Sequence, residues 1–164
     1  MKIRIQILIL LLVLVSCNNS PAIKAGEVNM LMDDWHKSAA NADMMEYFKL
    51  IADDGYFLGT QHDEIWTKDE FYIFCKPFFD KGKTWTFVPF ERNVYISANG
   101  KAAWFDEKLE TWMGICRGSG VMEIVNDSLK LKHYNLAVTI SNDLVHDFVE
   151  LVKADTINYY LLEE

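Results

Sequence analysis

The hydrophobic period of this chain changes to two at Thr84, and that change constrains the fold more than any other feature. Before it, apolar residues recur at helical spacing. Val28, Leu31, Met32, Trp35 and Ala39 share one face, Met44, Tyr47, Phe48 and Ile51 a second, and Phe71, Phe74, Cys75, Phe78 and Phe79 a third. After it, apolar and polar residues alternate over 84–97, 101–112, 114–125 and 129–140, the period of half-buried strands. Local punctuation agrees. Asp43 with Glu46 reads as a helix start, and Thr67-Lys-Asp-Glu70 is a strict capping box. Asp53-Asp54-Gly55 stops the second helix ahead of a short strand Tyr56–Leu58, and Pro77 and Gly82 close the third. Asn99-Gly100 is a hairpin turn, and Asn126-Asp127-Ser128 reads as a three-residue turn. Pro89 marks a bulge or an edge strand. Ser141-Asn142 opens a last helical segment, 143–153.

Helices followed by long strands give an α+β domain. The expected architecture is a cone-shaped, curved antiparallel sheet with three N-terminal helices on its concave face. A length of 164 residues suits one domain. Five Trp, seven Tyr and ten Phe exclude a disordered chain. A net charge of −8 argues against a nucleic-acid partner, since phosphate recognition needs a positive face.

The first residues read as an address. Lys2 and Arg4 precede an unbroken apolar run, Ile7–Val15. Nine helical residues rise only about 14 Å, short of a hydrocarbon core about 30 Å thick, so the run is a signal peptide rather than a stable span. It ends Leu14-Val15-Ser16-Cys17, which resembles a bacterial lipobox whose Cys is acylated and becomes the first mature residue. The alternative is an ordinary secretory signal cleaved nearby. The expected division is 1–16 signal peptide, 17–25 tether and 26–164 domain. Losing residues 1–16 leaves 14 bases against 24 acids, a mature net charge of −10. The expected location is therefore the cell envelope, on a membrane-anchored lipoprotein facing the periplasm or the exterior. Cys75 and Cys116 each sit inside an apolar element without a CxxC partner, which favours buried thiols over a disulfide. No metal, nucleotide or flavin motif is present, so no cofactor is implied. The four His, at 36, 62, 133 and 146, are scattered, and His36 most simply packs against the sheet.

Several segments, taken in order, resemble a known family. They are Trp35-His36-Lys-Ser-Ala-Ala-Asn-Ala-Asp43, Asp54-Gly55-Tyr-Phe-Leu-Gly59-Thr60 and Glu64-Ile-Trp66-Thr67-Lys-Asp-Glu-Phe71. Ala103-Trp104-Phe105-Asp106-Glu107, Arg117-Gly-Ser119-Gly-Val121 and Lys132-His133-Tyr134 continue the series. Over about 26–142 the chain is similar to SnoaL-like domains of the nuclear transport factor 2-like superfamily. That resemblance implies the cone fold, which hosts isomerases, dehydratases, cyclases and non-enzymatic binding modules. Gln61 and Asn135 stand where the family pattern often carries an Asp and a His, which removes two titratable groups.

The strand faces follow from a register. If Asn126–Ser128 joins Val125 to Leu129, then Val121 faces His133 and Ser119 faces Asn135. Arg117, Ser119, Val121, Leu129, Leu131, His133 and Asn135 then share one face, and Gly118, Gly120, Met122, Tyr134, Leu136 and Val138 the other. A cavity wall needs a few convergent polar groups in an apolar surround, so the first face is expected to be concave. The resemblance puts Trp104 and Asp106 inward as well. The candidate site is Trp104, Asp106, Arg117, Ser119, His133 and Asn135, with Trp66, Glu64 and His36 at its rim. In it Asp106 and His133 would be the acid–base pair, and Trp104, Arg117, Ser119, Asn135, Trp66 and Glu64 would bind ligand. An Arg117–Asp106 pair could equally be structural.

The expected function is binding of a small polar–apolar organic ligand, or of a partner. The alternatives are a cofactor-free isomerase, dehydratase or hydrolase, and a purely structural dimerisation module. The expected partners are a small molecule, the membrane through the lipid, and a second copy. That copy would pair through Tyr134, Leu136, Val138 and Met122, unless Leu144, Phe148, Leu151 and Val152 of the C-terminal segment cover them.

Overall fold

The computed structural model describes residues 22–154. The expected signal peptide and Cys17 lie outside them. The elements run α1 (Ala25–Ala40), α2 (Met44–Leu50), β1 (Ile51–Leu58), β2 (Ile65–Thr67), α3 (Lys68–Asp80), β3 (Val88–Ile96), β4 (Ala102–Thr111), β5 (Gly114–Val125), β6 (Ser128–Val138) and α4 (Val145–Ala154). Both predicted N-terminal caps form. The Asp43 side chain accepts from Glu46 N, and Thr67 with Glu70 makes a reciprocal capping box.

The six strands form one sheet in the order β2-β1-β6-β5-β4-β3. Two expectations are corrected here. Two helices, not three, precede the sheet, because β1 follows α2 directly and α3 comes after β2. The sheet is also mixed, since β1 pairs with β6 in parallel. Neither is legible from periodicity. The register between β1 and β6 shifts between Ile51 and Tyr56, so the burial of β1 does not alternate cleanly. Pro89 lies on β3, an edge strand, where its missing N–H costs no ladder bond.

The β5–β6 turn has two residues, not three. Asn126 (φ 48°) and Asp127 (φ 60°) both take left-handed geometry, which matches the twist of a tight hairpin. The residue gained by β6 is absorbed in an irregularity, where Val121 pairs with His133 and Met122 with Leu131. The expected partners Ser119–Asn135 and Val121–His133 therefore hold, while Leu131 turns to the inner face.

The expected assignment of faces is inverted. Ala103, Phe105, Glu107 and Leu109 of β4, Cys116, Gly118, Gly120 and Met122 of β5, and Tyr134 and Leu136 of β6 are the buried side chains. They meet Val28, Met32, Trp35, Tyr47, Phe48, Phe71 and Phe79 from the helices in a single core. Gly118 and Gly120 make room for the Tyr134 hydroxyl and the Phe105 ring, not for a second sheet. The proposed dimer surface of Tyr134, Leu136 and Met122 is thus core, buried by α1, α2 and α3. The C-terminal stripe does not cover it, and Leu144, Phe148 and Leu151 stay about half or more exposed. The cone is filled with rings. Trp35 stacks on Tyr47 at 4.7 Å, and Phe57 on Phe71 at 3.9 Å. Side chains packed against one another from the helices and the sheet bury most of the concave face.

Candidate functional site

Two features of the concave side carry chemistry, a buried carboxylate and an aromatic cleft. The carboxylate is Glu107, 1% exposed at the centre of β4. An isolated charge there would be prohibitive, so it is matched on every side. Its Oε1 accepts from His36 Nε2 at 2.8 Å and from the Tyr134 hydroxyl at 2.8 Å. Its Oε2 accepts from Arg92 Nε at 2.8 Å. An ionised carboxylate has no proton to donate, so His36 carries its proton on Nε2. Burial pushes the Glu107 carboxyl up, but the hydrogen bonds and charges of His36 and Arg92 outweigh it and hold it below its ordinary value. Arg92 comes from the edge strand. The β3–β4 register shifts between Phe90 and Asn93, and Glu91 takes φ 48°. This bulge turns the Arg92 side chain inward, where Nη1 donates to Asn29 O at 3.0 Å and to Asp33 Oδ1 at 2.8 Å.

The cleft lies where β1, β4 and β6 end and β3 begins. It has a volume of about 170 Å³ and is lined by Phe57, Gly59, Thr60, Glu64, Trp66, Phe71, Phe74, Trp85, Phe87, Trp112, Met113 and Leu136. Trp66 stacks on Phe74 at 4.6 Å and on Phe71 at 5.6 Å, so one wall of the cleft is a stack of aromatic rings. Trp112 sits on the β4–β5 turn, 82% exposed. Glu64 is the one titratable side chain among the twelve. Its Oε2 accepts from Gln61 N at 3.1 Å, and Gly59 N donates to its backbone oxygen at 2.8 Å. A Cβ on Gly59 would stand 2.1 Å from Glu64 Oε2, so glycine is what lets the carboxylate fold over this loop. The four members of the Glu107 cluster do not line the cleft.

The sequence-predicted residues divide between the faces. Glu64 and Trp66 line the cleft. His36 is in the buried cluster. Trp104, Asp106, Arg117, Ser119, His133 and Asn135 all lie on the outer face, which corrects the concave assignment. Trp104 stacks on Tyr95 at 5.9 Å, with about half of each ring exposed. Asp106 accepts from Asn93 Nδ2 at 3.1 Å and pairs across the ladder with Ser119. Arg117, opposite Lys108, is exposed. His133 pairs with Val121 on one side and Tyr56 on the other. Asn135 lines an adjoining groove of about 430 Å³ under Phe148 of α4, which shares Gly59, Thr60, Glu64 and Leu136 with the cleft. A further groove of about 420 Å³, between α1, α2 and the β5–β6 turn, is rimmed by Glu27, Asp34, Glu46 and Asp127.

The sequence reading missed Glu107, Arg92 and the aromatic cleft with Trp112 at its lip. A signal for Glu107 existed. It is the one acid in the alternating set Ala103, Phe105, Glu107, Leu109, and a lone acid on an apolar strand face marks a satisfied buried carboxylate. Arg92 had the same signal on its C-terminal side, as the lone charge in the set Arg92, Val94, Ile96, while the bulge at Glu91 breaks the alternation before it. Cys75 and Cys116 are free and buried, and burial pushes the Cys75 thiol up, away from nucleophilic use. Among the described residues no group of three or more His, Cys, Asp or Glu is placed to hold a metal ion, and no helix is long and apolar enough to cross a membrane.

Comparisons with known proteins agree with this architecture. An NTF2-like protein of unknown function from Pseudomonas putida KT2440 superposes with a TM-score of 0.61 at 11% identity, over 72% of this chain and 88% of that one. An NTF2-like protein from Cytophaga hutchinsonii gives 0.59 at 16% identity, over 71% and 100%. A candidate dehydratase of the NTF2-like family from Streptomyces avermitilis gives 0.58 at 12%, over 71% and 96%. At such identities the likeness is one of fold, in which a curved mixed sheet shelters helices on one face. No curated protein matches the chain. The SnoaL-like domain family matches residues 28–141, the span that holds both the cleft and the Glu107 cluster. The chain belongs to the SnoaL-like domain family, on an NTF2-like fold.

Proposed function

We propose that this protein is an envelope lipoprotein whose SnoaL-like domain binds a small, single-ring organic molecule in the aromatic cleft, with Glu64 engaging a hydrogen-bond donor or cation on it. The observation that carries the reading is the composition of the cleft: a mostly aromatic lining with one carboxylate. Its volume of about 170 Å³ lies below the roughly 300–1,000 Å³ of sites for drug-sized ligands, which favours one ring. Binding without chemistry is favoured because general acid–base catalysis needs proton-transfer groups within reach of the reacting atoms. Glu64 is the one titratable side chain lining the cleft, and Glu107, His36 and Tyr134 are committed to one another behind the aromatic layer. The anchor reading rests on Leu14-Val15-Ser16-Cys17 after an apolar run. For a second copy, the outer face offers the half-exposed Trp104–Tyr95 pair beside the charges of Lys108, Asp106 and Arg117.

Quenching of Trp66, Trp85 and Trp112 fluorescence in the mature domain tests the binding. The titrants are single-ring amines, phenols and carboxylates. Amines and phenols should bind saturably, and Trp66→Ala should weaken them tenfold or more. Glu64→Gln should weaken the amines and leave apolar analogues unchanged. Absence of saturable binding, or indifference to both substitutions, would refute the proposal.

A further inference from the structure

The amino-terminal end of the described chain is clamped at one end of the sheet, and the aromatic cleft opens at the other. Ile23 is buried, and its N–H donates to Gly100 O at 3.0 Å on the β3–β4 turn. Gly100 has φ +68°, and a Cβ there would come within 2.7 Å of the Ala22 side chain, so the glycine is what lets the chain lie against the turn. The β5–β6 turn is at this same end, where Ile124 N bonds Lys101 O. β4 then runs the length of the sheet from Ala102 to Thr111 and delivers Trp112 to the lip of the cleft. Ten strand residues at about 3.3 Å each separate the clamp from the lip by about 30 Å. From Cys17 to Ile23 there are six chain steps, whose fullest reach is about 20–22 Å whatever their conformation. Anchored at Cys17, the chain is too short to stand the domain on its Trp112 end. The mature net charge of −10 also disfavours a domain lying flat on an anionic leaflet.

We propose that acylation at Cys17 holds the domain with its β3–β4 and β5–β6 turns toward the membrane and the aromatic mouth pointing away. The cleft then draws its ligand from the aqueous phase rather than from lipid of the anchoring leaflet. This rests on the lipoprotein reading above and adds to it an orientation and a ligand source.

The acylated protein is reconstituted in phosphatidylethanolamine–phosphatidylglycerol vesicles and floated on a density gradient. A fluorophore is placed on Asn99→Cys or on Trp112→Cys, and quenching by headgroup spin-labelled lipid is read on each. The native Cys75 and Cys116 are buried and stay unlabelled in the folded protein. The proposal expects flotation, with quenching at position 99 at least threefold stronger than at 112. Insertion of fifteen Gly/Ser residues before Ala22 should bring the two values together. Flotation with equal or stronger quenching at 112 overturns the orientation and leaves the anchor standing. Failure to float, with the Cys17→Ala protein behaving identically, overturns the anchor and the orientation with it.

Discussion

Replacing Glu107 by Ala is expected to cost about 3 kcal/mol of folding stability. Its side chain is fully buried and is the shared acceptor of three donors at 2.8 Å. Truncation leaves Arg92, whose side chain is 7% exposed, facing an empty site, and a guanidinium cannot shed its proton. Breaking one partner out of a buried ion pair costs about 3–5 kcal/mol. Asp33 stays on Arg92 Nη1, and its own side chain is 63% exposed, so it offsets only part of that loss. The lower end of the range is therefore expected, which corresponds to a fall in melting temperature of roughly 10 °C for a domain of this size. Glu107→Gln preserves shape but sets an amide N–H₂ or a lost charge against Arg92, and should cost more than 1 kcal/mol. The pH dependence separates charge from packing. The folded carboxyl titrates below its ordinary value, so its stabilisation is complete above the unfolded value of about 4.3 and is lost as pH falls through the folded one. Urea midpoints measured from pH 7 to pH 3 should therefore draw together for wild type and Glu107→Gln once the pH falls below about 4.3. Parallel curves, or a cost under 1 kcal/mol for Glu107→Ala, would refute a dry, ionised cluster.

Thr67→Ala removes the hydroxyl half of the capping box at the start of α3, leaving the backbone N–H of residue 67 to donate to Glu70, and should cost about 1 kcal/mol by denaturant unfolding. Gly59→Ala should expel the Glu64 carboxylate from its loop and abolish the preference for amines in the fluorescence titration, while apolar ring binding survives. Cys75 and Cys116 should ignore a thiol reagent in the native state and react together on unfolding, and fast reaction of either without denaturant would contradict their burial. Trp104→Lys should turn a dimer into a monomer by light scattering, and a dimer that survives the charge places that interface elsewhere.

The sequence by itself determined the local structure, because local structure here depends on neighbours along the chain. The helical stripes of α1 and α3, the caps at Asp43 and Thr67 and the turn at Asn99-Gly100 all follow from periods and short-range hydrogen bonds, whereas the pairs Ser119–Asn135 and Val121–His133 stand where expected only because a strand irregularity offsets the shorter β5–β6 turn. The resemblance carried by Trp35-His36 and the strand motifs was enough for the family. Which face of the sheet turns inward was also written in the chain. Ala103, Phe105 and Leu109 are apolar, while Trp104, Asp106 and Lys108 are amphipathic or charged. The expectation of a polar cavity wall overrode that pattern, and burial of apolar area decided the matter the other way. Three things were decided only in three dimensions. The parallel pairing of β1 with β6 joins segments more than seventy residues apart, and no local signal encodes it. The Glu91 bulge rephases Arg92 so that it reaches Glu107 across the strand pair, and helix α1 brings His36 to the same oxygens from 71 residues away. The aromatic cleft is assembled from the ends of β1, β4 and β6 together with α3 and the start of β3, so its walls are neighbours in space and not along the chain. Chain period sets which side chains an element hides, but tertiary packing alone chooses which hidden groups meet.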